Sequence, residues 1–165
     1  IDACYTIILD CLHKEDELVR VSAADAITNG GNPFAAKFSH EEVIGFFKEI
    51  LNQNCSSALL VKMMGAICSI FVVSTVEIQS LIYSDDFIDM LISNLEIVCR
   101  VAFSRPLEML LICLRNEEIS EEIIDKIHFL DAIDFIQRIA DTPDGECDED
   151  MQQVSNEIIE IINSE

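Results

Sequence analysis

The run ALLVKMMGAICSIFVV, Ala58 to Val73, is apolar on nearly every side of the helix it would form, with one charge at Lys62 and one strong helix weakener at Gly65. A helix that is hydrophobic all round has to be covered on more than one side, by protein or by lipid. The lipid case is close on length, because Ala58 to Val76 is nineteen residues with a single charge, near what spans a bilayer. Its large apolar residues contribute about −0.3 to −0.6 kcal/mol each on an insertion scale, while a central lysine costs about +2.5 to +3.5 kcal/mol and the Ser and Gly residues add more. The sum is near zero, so the flanks decide. Asn52 to Ser57 and Ser74 to Ser80 carry neither a basic cluster nor a Trp/Tyr belt. The expectation is a helix buried in protein, with no membrane contact.

The rest of the composition fits a folded, helix-rich chain. Half of the 165 residues are hydrophobic and a quarter charged, with five Gly and three Pro. A chain of this length buries about 70% of the surface its unfolded form exposes. The formal charge of −21, from 31 acidic against 10 basic residues, argues against nucleic acid and against an anionic membrane face, since both are bound through Lys and Arg. Seven cysteines, an odd number without a C-x-x-C pair, read as reduced core residues of a cytoplasmic or nuclear protein. The start at Ile1, without a methionine, a basic n-region or a cleavage motif, reads as a cut through a longer protein.

Helical periodicity then divides the chain. A first helix, Ala3 to Leu12, places Tyr5, Ile8, Leu9 and Leu12 on one face. Asp16 caps a second, with Leu18, Val21, Ala24 and Ile27 inward and a left-handed stop at Asn29-Gly30-Gly31; Asn32-Pro33 makes a turn. Ser39 and Glu42 form a capping box before a helix that buries Val43, Phe46, Phe47, Ile50 and Leu51. Asn52 to Asn54 end it, and Ser56 or Ser57 opens the apolar helix. Val76 to Tyr83 is a short amphipathic piece with Ile78, Leu81 and Ile82. Asp85 or Asp86 caps a helix reaching Leu95, with Phe87, Ile88, Leu91 and Ile92 buried. Pro106 leaves Glu96 to Leu114 as either one kinked helix or two, with Leu107, Leu110, Leu111 and Leu114 inward. Ser120 starts a helix marked by Ile123, Ile124 and Ile127, and Ile133, Phe135, Ile136 and Ile139 mark the next. An acidic loop, Thr142 to Asp150, precedes a last helix from Met151 to Ile162.

These segments repeat. Leu12, Leu51, Leu95 and Ile139 are spaced 39, 44 and 44 apart; Ile27, Ile67, Ile112 and Ile159 are spaced 40, 45 and 47 apart. Armadillo and HEAT arrays have a period near this, with two or three helices per unit. The run LDCLHKEDELVRVSAADAITN, residues 9 to 29, resembles the second and third helices of an armadillo repeat, and VEIQSLIYSDDFIDMLISNL, residues 76 to 95, the first and second of another. The resemblance implies an all-α, right-handed superhelical solenoid. Its single domain would hold about three and a half repeats, at residues 1–32, 33–74, 75–117 and 118–165. Armadillo proteins that read nuclear localisation signals carry a tryptophan and, four residues later, an asparagine on the long inner helix. Here Asp25 and Asn29 take those places, then Gly65 and Ser69, and the chain has no tryptophan. That departure points away from nuclear-import cargo.

The resemblance implies a scaffold whose concave face holds a partner peptide or helix, and the charge implies a basic or amphipathic one. Asp25 and Asn29 are candidate contacts, although Asn29 also suits a plain helix end beside Gly30. Lys62 either extends its ammonium to water or meets an acid from a neighbouring helix. Ser69 is a further candidate, as are Arg105 and Glu108 beside Pro106, which also fit a solvated face. No catalytic set emerges: His13, His40 and His128 are scattered, Cys11-Leu12-His13 is too tight for a zinc pair, the acidic loop misplaces Gly145 for calcium, and no phosphate loop exists. No cofactor or metal is expected, and no enzyme activity. Two alternatives remain: an architectural or regulatory segment of a larger repeat protein, self-associating or docking through apolar ends at Ile1 and near Ile162, and an RNA-binding helical array.

Overall fold

A computed structural model describes residues 2–53, 55–143 and 145–164. Of the expectations above, the apolar end at Ile1, the helix break at Asn54, the middle of the acidic loop at Asp144 and any cap from the Asp85 side chain lie outside the described residues. Those residues form helices and turns only, in two compact units, Ile1–Ser84 and Asp85–Glu165.

The first unit is built around the apolar helix. In chain order it contains α1 (Asp2–Leu12), α2 (Glu17–Asn29), the short α3 (Asn32–Ala35) with a 3-10 turn (Ala36–Phe38), α4 (Glu41–Leu51), α5 (Ser57–Val73) and α6 (Val76–Ile82). Helix α5 is contacted by α2, α3, α4 and α6, and from Met63 to Phe71 every residue is buried. Protein therefore covers it on all sides. The Ser56 hydroxyl accepts from the Leu59 N–H at 3.3 Å to start α5. Extended backbone at Ser74 ends it before the nineteen-residue run is complete. No helix among the described residues is long and apolar enough to cross a membrane.

Asp16 caps α2 by accepting from the Leu18 N–H at 2.9 Å. Leu18 itself does not point inward and is 76% exposed. The helical step explains this, because nine residues separate Leu18 from the buried Ile27, about half a turn out of phase. The inward face runs instead through Ala23, Ala24 and Ile27. The expected Ser39–Glu42 capping box does not form. His40 occupies the cap position of α4 without a side-chain bond, and the Ser39 hydroxyl pairs with that of Ser74 at 2.6 Å. Asn32-Pro33 starts a turn of helix where a reverse turn was expected, with Pro33 in the first turn, where its missing N–H costs nothing. The positive φ of 76° falls on Gly31.

The second unit contains α7 (Asp85–Ser93), α8 (Leu95–Ala102), α9 (Arg105–Leu114), α10 (Ser120–Phe129), α11 (Ile133–Ala140) and α12 (Glu149–Ser164). Glu96 to Leu114 falls into two helices: Phe103, with φ 53°, breaks the chain after α8, and Pro106 lies in the first turn of α9. Leu95 opens α8 and does not close the preceding helix, which ends at Ser93. Asp86 lies within α7, so it does not cap it. Helix α9 is the apolar centre of this unit, with Leu107, Met109 and Leu110 fully buried and α8, α10 and α12 packed against it. Asp148 caps α12, accepting from the Met151 N–H at 3.0 Å.

Six polar contacts between segments distant in the chain have similar separations. Ser39–Ser74 spans 35 residues, Asp25–Lys62 and Asp89–Lys126 span 37, Glu17–Ser56 spans 39, and Arg115–Glu157 and Glu96–Arg138 span 42. Within each unit the long helices also pair, α2 on α5 and α9 on α12.

Two glycines test this packing in opposite directions. Gly45 lies exposed within α4, and an added Cβ would meet nothing within 4 Å. Gly45→Ala should therefore raise unfolding stability by about 0.5–1 kcal/mol through the lower chain entropy of the unfolded state. A Cβ on Gly30 would come within 2.2 Å of the Phe34 ring and 2.9 Å of the Ala26 carbonyl oxygen, so Gly30→Ala should lower stability. Urea unfolding of both variants checks the pair.

Candidate functional site

Two of the sequence candidates meet. Asp25 projects from α2 and Lys62 from α5, and their Oδ1 and Nζ atoms lie 2.5 Å apart. The lone cation of the apolar helix thus meets an acid from a neighbouring helix. Both side chains keep partial access to solvent, 26% for Lys62 and 41% for Asp25. Asn29 lies one turn beyond Asp25 and donates its amide N–H to the Asp25 carbonyl at 2.9 Å, on the exposed surface. It serves the end of its own helix. Ser69 is corrected to a core position: it is 3% exposed, and its hydroxyl donates to the Gly65 carbonyl at 3.0 Å. A partner docking on the surface does not reach it.

In the second unit Arg105 and Glu108 pair at 2.7 Å across one turn of α9, and the Ser104 hydroxyl donates to the second Glu108 oxygen at 2.5 Å. Glu108 therefore holds the first turn of α9 together, with both partners mostly covered. Three other links between helices were not singled out from the sequence: Lys126 to Asp89 at 2.6 Å, Arg138 to Glu96 at 3.1 Å, and Arg115 to Glu157. Opposite charges placed 37 or 42 residues apart were the signal for them.

These pairs determine what the surface offers. Lys62, Arg100, Arg105, Arg115, Lys126 and Arg138 are all ion-paired, so most of the ten basic residues are engaged while acids remain in large excess. Hydrogen bonding to the Ser56 hydroxyl and backbone holds the Glu17 carboxyl below the usual range, and the Arg100 guanidinium does the same for Glu96. The outward face is therefore strongly anionic at neutral pH.

All seven cysteines are free. Burial pushes the thiols of Cys99 and Cys113 up to about 12, which removes thiolate chemistry there. Cys68 is also buried; Cys4 is exposed, and Cys11, Cys55 and Cys147 lie between, so the expectation of a mostly buried set holds for three of the seven. His13 stacks on Phe46 at 4.1 Å, with Nδ1 2.8 Å from the Leu9 carbonyl oxygen, an arrangement that ties α1 to α4. Among the described residues no three His, Cys, Asp or Glu side chains group as metal ligands.

In comparisons with known proteins, no protein-family model matches the chain and no curated protein sequence matches it significantly.

The Asp25–Lys62 pair is open to a double-mutant cycle with Asp25→Asn and Lys62→Met. For a pair this exposed the coupling should be about 0.2–1 kcal/mol, and it should shrink when salt is raised to molar concentration. Urea unfolding of the four proteins at two salt concentrations measures both.

Proposed function

We propose that this chain is an armadillo-like helical-repeat module that binds a protein partner, and that the partner presents a basic or amphipathic segment. The observation that carries the reading is the separation of 35 to 42 residues shared by six side-chain contacts between segments distant in the chain. A repeat array produces that pattern because each unit touches its neighbours and little else. The pairing of α2 with α5 and of α9 with α12 supports it, as stacked long helices form the inner layer in the right-handed superhelical solenoid that the resemblance implies. Arrays of this kind hold peptides or helices on the faces that their own packing leaves open, which on this chain excludes the buried stretch of α5.

The charge supports the chemistry of the partner. With −21 on the chain and most cations already paired, the field steers cationic segments in and polyanions away. Nucleic acid is disfavoured for the same reason, and the absence of a catalytic constellation in the sequence makes binding the better class. Free cysteines agree with a reducing compartment, cytosol or nucleus.

A second reading, an architectural segment of a larger repeat protein, is favoured by one feature of the first unit. A shallow apolar groove of about 360 Å³ runs between α1 and α2 beside Leu18, lined also by Ile8, Cys11, Val19 and Ala26. A further helix laid there would cover it.

Selection of a peptide-display library on the purified chain tests the binding reading. Enrichment of Lys- and Arg-containing peptides, with affinity lost when those residues are replaced and falling steeply with salt, is the expected outcome. Failure to enrich any peptide, or binding indifferent to removal of the cations, would overturn it. Tight RNA binding in a low-salt gel shift would favour the RNA-array alternative.

A further inference from the structure

On the second unit, helix α10 carries a stripe that its own core does not use. Ile123 and Ile127 are its buried residues, and Phe129, two positions past Ile127, lies on another side and is 85% exposed, more than any other large hydrophobic residue described. The helix ends just after this ring, where Asp131 takes a left-handed conformation with φ 55°. The Ala132 N–H then reaches the Ile127 carbonyl at 3.0 Å and the Asp131 N–H reaches that of His128 at 3.2 Å. These two bonds close a Schellman turn, so Phe129 lies in the last turn of α10, exposed to water.

Beside Phe129 is an open groove of about 700 Å³, whose lining includes Asp89 of α7 and Glu122, Asp125, Lys126 and Leu130. Lys126 is consumed within the protein: its Nζ lies 2.6 Å from Asp89 and 3.5 Å from Glu122, and its side chain is largely covered. Three carboxylates against one ammonium leave the groove anionic. Glu122, Asp125 and Phe129 stand at i, i+3 and i+7, so they form a single ridge about 10 Å long on α10. Two acids at one end and an aromatic at the other make a polarised ridge.

We infer that this groove receives an amphipathic helix of a partner protein, with Lys or Arg side chains one turn apart against Glu122 and Asp125 and an apolar side chain against Phe129 and Leu130. The spacing of the ridge is itself helical, which matches the i, i+3 or i+4, i+7 anchors of a helix laid along a groove. Charge complementarity selects the occupant. A second copy of this chain brings its own −21 and is repelled, and a nucleic acid or an anionic bilayer is excluded by the same sign. The inference rests on the protein-binding reading and gives it a place, but it does not depend on the helices being armadillo repeats.

The test uses the intact chain and a fluorescein-labelled helical peptide of about fourteen residues composed of Leu and Lys in amphipathic order. Anisotropy titrations at physiological ionic strength compare the wild type, the double variant Glu122→Gln/Asp125→Gln, Phe129→Ala, and a control, Glu41→Gln/Glu42→Gln, which removes the same charge from the exposed start of α4. Every altered residue is exposed, so the fold should survive, and thermal melts confirm it. The expected result is weakening of about tenfold for each groove variant, the control within about twofold, and amide shifts on peptide addition concentrated in α7 and α10. Groove variants that bind as tightly as the control would overturn the inference while leaving a protein-binding role standing on another face. No binding by the wild type would remove both.

Discussion

Everything in the first unit follows from the need to cover α5. From Met63 to Phe71 its residues are buried one after another, so no single face could be left to water and no single neighbouring helix could cover it. At about 25 cal/mol per Å² of apolar surface, exposure of even one side of such a helix would exceed the whole net stability of a small domain. The sequence meets the requirement with several modest elements. Helix α2 brings Ala23 and Ala24, small residues that allow close approach, together with Ile27, while α4 brings Phe47 and Ile50. Lys62 is the one charge on α5, and Asp25 of α2 meets it at the margin, where water still reaches.

The second unit solves a smaller version of the same problem. Helix α9 is shorter, and Pro106 sits where it can start a helix but not continue one. Its helices are tied by ion pairs 37 or 42 residues apart in the chain. Surface pairs of this kind contribute little individually, so their value lies in register. An acid and a base on neighbouring helices favour the pairing in the right register and disfavour a slipped one. Because the bases are used this way, the outward surface is left to the acids, and the partner chemistry inferred above is a consequence of how the helices are held.

Much of the helical layout was legible because burial and period coincide. Val43, Phe47, Leu91, Leu107 and Ile136 sit at helical spacing and are buried. Phase was harder. Leu18, Val21, Ala24 and Ile27 read as one stripe by hydrophobicity, yet Ile27 sets the inward direction and Leu18 lies opposite. Competition for hydroxyls was invisible: Ser39 has the pattern of a cap but finds Ser74, a partner known only once the chain is folded. For the candidate contacts, Asp25 and Lys62 were both named but not as a pair. Ser69 was carried by the alignment to a repeat family and is buried, since the all-round apolar helix leaves that position no outer face. The ridge ending at Phe129 was not read, because a lone aromatic next to a buried stripe looks like part of it.

The central claim is that α5 is a protein-covered helix, sheltered by the neighbouring helices of its own unit. Residue-resolved hydrogen exchange in detergent-free buffer tests it most directly. The account predicts that the amides from Met63 to Phe71 exchange only through global unfolding, at the largest protection in the first unit. Exchange of these amides as fast as that of the exposed turns, or protection that emerges only when micelles are added, would contradict it.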